Sequence, residues 1–146
     1  MIKEKYCSFK VSKLLREKGF DEPCMKVWTL DDCRESETIW SINFSESNLF
    51  VTNKELDAIL KKKIFLNAAY LCPTQELVCS WLREVYSIYI TVEPDINDKH
   101  CFYPVIYTMT KETWERQYFE ELEALSFNSP EEAIEAALLY VLKNLI

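Results

Sequence analysis

Gly19 is the only glycine in this chain of 146 residues. Glycine lets a backbone enter left-handed conformations or approach a ligand closely. A phosphate-cradling P-loop, a dinucleotide-binding GxGxxG turn and the GxSxG elbow of a hydrolase each need several glycines at fixed offsets. One glycine cannot supply any of them, so kinase-like, P-loop, Rossmann and α/β-hydrolase mechanisms are excluded. Corners must be turned by prolines, capped helix ends and polar loops.

The glycine falls where a helix should end. In "CSFKVSKLLREKGFDEPC" the residues Phe9, Val11, Leu14 and Leu15 form an apolar stripe, Gly19 suits a left-handed C-terminal cap followed by Phe20, and Pro23 prevents resumption. Thr52 with Glu55 matches a capping box, before the stripe Leu56, Ile59 and Leu60. In "CPTQELVCSWLREVYSIYI" Pro73 enforces extended backbone before it and Thr74 is a candidate N-cap. Leu77/Val78, Trp81/Leu82 and Val85 then recur at helical spacing. Trp114, Tyr118, Leu122 and Leu125 have helical spacing too, which predicts a helix in "TKETWERQYFEELEAL". The last helix is the strongest: Ser129 caps, Pro130 takes the first position, Glu132 completes the box, and Ile134, Ala137, Leu138, Val141 and Leu145 form a stripe. Ala133 and Ala136 allow close approach to a neighbour.

Alternation marks the strands. "MKVWTL" and "ETIWSINF" are joined by the polar connector "DDCRES", as in a hairpin, and extended structure is expected near 67–71. After the helix of "CPTQELV…", Tyr86, Ile88, Ile90 and Val92 share one strand face, and Ser87, Tyr89, Thr91 and Glu93 the other. "CFYPVIYTM" returns as a second strand with large apolar groups on both faces, which calls for cover on both sides. Pro104 cannot donate to a ladder and is expected at a sheet edge or a bulge. The expected fold is α+β: one domain over 1–146, a three-layer α/β/α sandwich with a mixed or antiparallel sheet of about four strands and four to five helices.

Two of these segments, "CPTQELVCSWLREVY" and "SPEEAIEAALLYVLKNL", together with "KLLREKGF", resemble helices of small uncharacterised proteins of gut bacteria and their phages, similar to the phage ABA sandwich domain. The likeness covers 8–19 and most of 72–93 and 129–146, while 45–71 and 110–128 match poorly. Cys72 stands where alanine is usual. The resemblance implies an α/β/α sandwich and a mobile-element origin, and carries over no catalytic residue.

Charge limits the partners. The formal net charge is −7, and residues 111–146 hold eight carboxylates against three cations. Nucleic-acid affinity rests largely on Lys and Arg neutralising phosphates, so an acidic chain gains little there. The one basic run, Lys61-Lys62-Lys63, reads as a solvated helix end. "MIKEKYCSFK" has no apolar export signal, and "AALLYVL" at 136–142 is too short to span a membrane. A cytoplasmic location is expected, where the six cysteines (7, 24, 33, 72, 79, 101) stay reduced and act as small packing residues. No CxxC occurs and no cysteine pair has a histidine at ligand spacing, so neither metal nor cofactor is expected.

The reactive-looking residues have plain structural readings. His100 is the only histidine, and strand geometry would turn Cys101 to the opposite face. Cys72 and Cys79 lie near a helix start, which lowers a thiol pKa, yet Cys79 is a full turn inside. Glu120-Glu121 and Glu131-Glu132 diverge around their helices by about 100° and suit a solvated face. The aromatics Tyr86, Tyr89, Tyr103 and Tyr107, with Trp28 and Trp40, either fill a core or form a protein interface. The expectation is a non-enzymatic protein-interaction domain that binds a protein partner or itself, with Tyr86, Tyr89, Tyr103, Tyr107 and Trp28 as interface candidates. The alternatives are an acidic nucleic-acid mimic that inhibits a DNA-binding host protein, and a small carboxylate-dependent enzyme.

Overall fold

A computed structural model describes residues 3–31, 34–41, 50–62 and 66–146. Cys33, the end of the second expected strand (Ile42, Asn43, Phe44), and Lys63 of the basic run lie outside the described residues. The fold is α+β, with five helices among the described residues and two small antiparallel sheets of three strands each. The one sheet of about four strands expected from the sequence is therefore two sheets. Contacts gather the chain into two compact units, Tyr6–Thr74 and, with a short N-terminal stretch, Gln75–Ile146.

Within 6–74 the order is α1 (Phe9–Glu17), β1 (Lys26–Asp31), β2 (Arg34–Ser41), α2 (Asn53–Lys62) and β3 (Leu66–Leu71). The sheet runs β2-β1-β3, with the expected β1–β2 pairing antiparallel. Ser8 caps α1 through its Oγ, which accepts the Val11 N–H at 3.2 Å. Gly19 has φ +81°, and Gly19 N–H donates to Arg16 O while Phe20 N–H donates to Leu15 O. Those two bonds make a Schellman motif, closed by the buried Phe20 ring. The return half of the expected capping box forms, with Thr52 N–H donating to Glu55 Oε2 at 2.8 Å and the Thr52 hydroxyl to the same oxygen at 3.2 Å. Val11, Leu15, Phe20, Val27, Leu56 and Leu71 are buried in this unit, and Cys7, Cys24 and Cys72 join them.

The unit 75–146 runs α3 (Gln75–Tyr86), β4 (Ile88–Pro94), β5 (Phe102–Thr110), β6 (Thr113–Gln117), α4 (Glu120–Glu123) and α5 (Pro130–Asn144), with sheet order β4-β5-β6. Ser87, at φ 55°, alone turns helix into strand. Gln75 is buried, and its Nε2 donates to Glu131 O at 3.0 Å and Glu135 Oε2 at 3.3 Å, tying the start of α3 to the first turns of α5. Ser129 Oγ accepts the Glu132 N–H, the forward half of the predicted box, while Glu132 Oε2 accepts the N–H of Asn128, one residue before the cap. The buried stripe of α5 is Ala133, Ala137, Leu138, Val141 and Leu142, rotated slightly from the expected one, which had Ile134 and Leu145 at its ends. Val85, expected on the buried face of α3, is 58% exposed because the helix ends beside it.

Two further expectations are corrected here. Pro104 lies in the central strand, opposite Val92 of β4. The Phe102 N–H donates to Phe127 O on the side away from β4, so the even positions of β5 face that side. There β6 pairs only from Ile106 onward, and the missing N–H of Pro104 interrupts no ladder. The helix expected over 110–125 is instead strand β6 followed by the single turn α4. Its cause is the two-residue link Lys111-Glu112, with φ 49° and 68°, the positive pair used by primed hairpin turns. Thr113 Oγ1 donates to Thr110 O at 2.9 Å across the same turn. Replacing Glu112 by glycine removes the left-handed penalty of about 1 kcal/mol and should stabilise the protein by a similar amount in urea unfolding. A helix here would give the opposite sign, since glycine in a helix interior costs about 1 kcal/mol.

Candidate interaction face of the second sheet

Strand register divides the side chains of β4-β5-β6 between two faces. Ile88, Ile90 and Ile106 share one face and are buried, and α5 packs against both of their strands. Tyr89, Thr91 and Glu93 of β4, Tyr103, Val105, Tyr107 and Met109 of β5, and Trp114 and Arg116 of β6 share the other. There, Tyr89, Met109 and Trp114 remain 40%, 44% and 42% exposed. The Tyr89 ring lies 6.2 Å from Tyr107 and 6.0 Å from Trp114, centroid to centroid, so the three form one tilted cluster.

Arg83 completes the site from α3. The one-residue reversal at Ser87 brings the last turn of α3 beside the start of β4, and the Arg83 guanidinium stands 5.9 Å above the Tyr89 ring. Arg83, Tyr89, Thr91, Tyr107 and Trp114 line an open depression of about 380 Å³. Among the described residues its lining holds no carboxylate, thiol or imidazole. Farther along the face, Arg116 Nη1 meets Glu93 Oε2 at 3.5 Å. By register that pair reaches across β5 over Val105, which is buried although it lies on the open side. Arg116 also lies 5.0 Å from the ring of the exposed Tyr118.

Of the interface candidates read from sequence, Tyr89 and Tyr107 come together here. Tyr103 lies on the same face, and its hydroxyl donates to Asp95 Oδ2 at 2.9 Å. Tyr86 stands edge-on to Trp81, 5.2 Å between centroids. Trp28 belongs to the other unit, where its Nε1 donates to Cys7 O at 3.0 Å and its ring meets Phe9 edge-on. Trp114 and Arg83 were missed. Trp114 was assigned to a helix, although Thr113-Trp114-Glu115-Arg116-Gln117 also alternates as a strand does. Arg83 gave no signal beyond a helical spacing that points it away from the buried stripe.

The reactive-looking residues make local contacts. Asp98 accepts the His100 N–H through Oδ1 at 2.9 Å and the Cys101 thiol through Oδ2 at 3.2 Å. Those bonds lower the Asp98 pKa and raise that of Cys101. Asp95 is lowered likewise, by the Asn97 N–H and the Tyr103 hydroxyl. Burial, reinforced by Cys72 and by the carboxylates Glu22 and Asp21, pushes Cys24 up to about 12. Burial pushes Cys79 up to about 11 against the opposing pull of Arg83. Among the described residues, no cluster of three or more His, Cys, Asp or Glu is placed to hold a metal, and no helix is long and apolar enough to cross a membrane. Glu120 and Glu121 are exposed on α4, and Glu131 and Glu132 occupy the first turn of α5.

Comparison with family models, with curated proteins and with solved structures finds no match in any of the three. The site therefore stands on its own geometry.

A thiol reacts as its thiolate, so a raised pKa makes it slow below that pKa. Iodoacetamide should modify Cys79 at pH 8 about a hundredfold more slowly than a free cysteine, rising about tenfold per pH unit toward pH 11. Site-resolved mass spectrometry reads this directly, and free-thiol speed at Cys79 would contradict the burial of its thiol.

Proposed function

We propose that this chain is a non-enzymatic protein-interaction domain that engages its partner through the Tyr89–Tyr107–Trp114 face. The observation that carries the reading is a contiguous aromatic cluster, about two-fifths exposed at Tyr89 and Trp114, on a sheet whose opposite face is buried. Single exposed apolar residues are ordinary, but a joined patch of rings beside a depression is what binding surfaces offer. Tyr and Trp are also the residues that dominate interface energetics. The lining of Arg83, Tyr89, Thr91, Tyr107 and Trp114 offers no activated nucleophile, which supports a binding role over a hydrolytic one.

The other expectations belong to the same proposal. A cytoplasmic setting keeps Cys7, Cys24 and Cys72 reduced as the buried packing groups they are. The mobile-element origin rests on the resemblance of the α3 and α5 segments. The three-layer α/β/α arrangement of the chain itself belongs to the same proposal, supported by the packing of α5 against β4 and β5 on one face of the second sheet.

A photo-crosslinking residue at position 114, compared with one at the exposed Lys143 of α5, tests the assignment in the cytosol of the native host. Position 114 should yield a discrete adduct that position 143 does not. Equal or absent adducts at both would overturn it.

A further inference from the structure

The chemistry of the depression also selects its occupant. Arg16 meets Asp57 and Arg116 meets Glu93, whereas Arg83, exposed at the lip, has no carboxylate at ion-pair distance among the described residues. Its guanidinium is held over Tyr89, and the rest of the lining is aromatic apart from Thr91. In a chain with 24 acidic and 17 basic side chains, a guanidinium with no carboxylate partner among the described residues, held over a ring in an aromatic depression, is an anion-seeking group beside an apolar seat. Guanidinium presents a planar fork of donors matched to a carboxylate.

We infer that the depression receives an extended acidic segment of another protein, seating one aromatic or aliphatic side chain among the three rings and placing an adjacent carboxylate on Arg83. The inference rests on the face being a binding surface and names what that surface takes. A depression of about 380 Å³ is near the lower end for ligand sites and suits one anchoring side chain. Its rings stay exposed at the rim, so it cannot enclose a free small molecule, but a segment anchored on a larger surface needs no enclosure. A second copy of this chain fits poorly. A two-fold contact through this patch would set Arg83 against a lining that, among the described residues, holds no carboxylate. A single-stranded nucleic acid would find rings to stack on, but among the residues lining the depression Arg83 is the one cation for its phosphates.

The test uses the full chain labelled with ¹⁵N and titrated with two capped pentapeptides, Glu-Glu-Trp-Glu-Glu and Lys-Lys-Trp-Lys-Lys, and with oligothymidylate. The acidic peptide should shift the amides of Tyr89, Tyr107 and Trp114 and bind about fivefold more tightly than the basic one at low salt. Arg83→Gln, on an exposed position, should abolish that preference while leaving the residual binding of both peptides. Trp114→Ala should weaken both. Equal affinity for the two peptides at these amides would overturn the carboxylate assignment and leave the face as a binding surface. Absence of shifts with both, while the position-114 crosslink still forms, would likewise overturn only the acidic occupant; loss of the crosslink as well would remove the underlying reading. Tighter binding of oligothymidylate, or dimerisation through these residues in sedimentation, would also overturn the inference.

Discussion

Strand β5 carries large side chains on both faces, and the neighbouring helices answer one face. Ile106 is buried with Ile88 and Ile90 on the side where α5 packs. Tyr107 and Met109 turn the other way, joined by Tyr89 and Trp114. An antiparallel sheet accommodates a wet face when that face is polar. Here it is aromatic, with its one fully buried member, Val105, lying beneath the Arg116–Glu93 pair. That mismatch between composition and cover is the feature from which the functional reading follows.

Local geometry turns the mismatch into a shaped site. Three residues with positive φ, at two turns, do the positioning. Ser87 reverses the chain within one residue and sets Arg83 beside Tyr89. Lys111 and Glu112 close the hairpin that sets Trp114 beside the same ring. Left-handed backbone at non-glycine residues costs about 1–2 kcal/mol each, and the surrounding fold has to hold it. A chain with its one glycine used at the end of α1 has to turn these corners with ordinary residues.

What was legible in the sequence was local. Gly19 with Phe20, Thr52 with Glu55, and Ser129 with Glu132 were readable as helix ends because each is a contact within a few residues, and each helix end forms where it was read. The alternation of Ile88 and Ile90 against Tyr89 and Thr91 was equally plain. The division into two sheets was not, because strand pairing joins distant segments and no local signal records it. The β6 hairpin was hidden for a different reason: its turn lacks glycine and asparagine, and Trp114, Tyr118, Leu122 and Leu125 happen to fall at helical spacing. In the fold, of those four only Leu122 is buried. Two of the three rings of the cluster were thus visible in Tyr89 and Tyr107, and the residues completing the site, Trp114 and Arg83, came only with the hairpin and the Ser87 reversal.

Radical footprinting in the purified protein and inside the native host's cells tests the central claim most directly, since Met109 and Trp114 are both oxidisable and both on the open face. The account predicts strong oxidation of the two in the purified chain and marked protection in cells, with the exposed Met25 of the other unit unchanged. Protection already complete in the purified monomer, or equal oxidation in both settings, would contradict it.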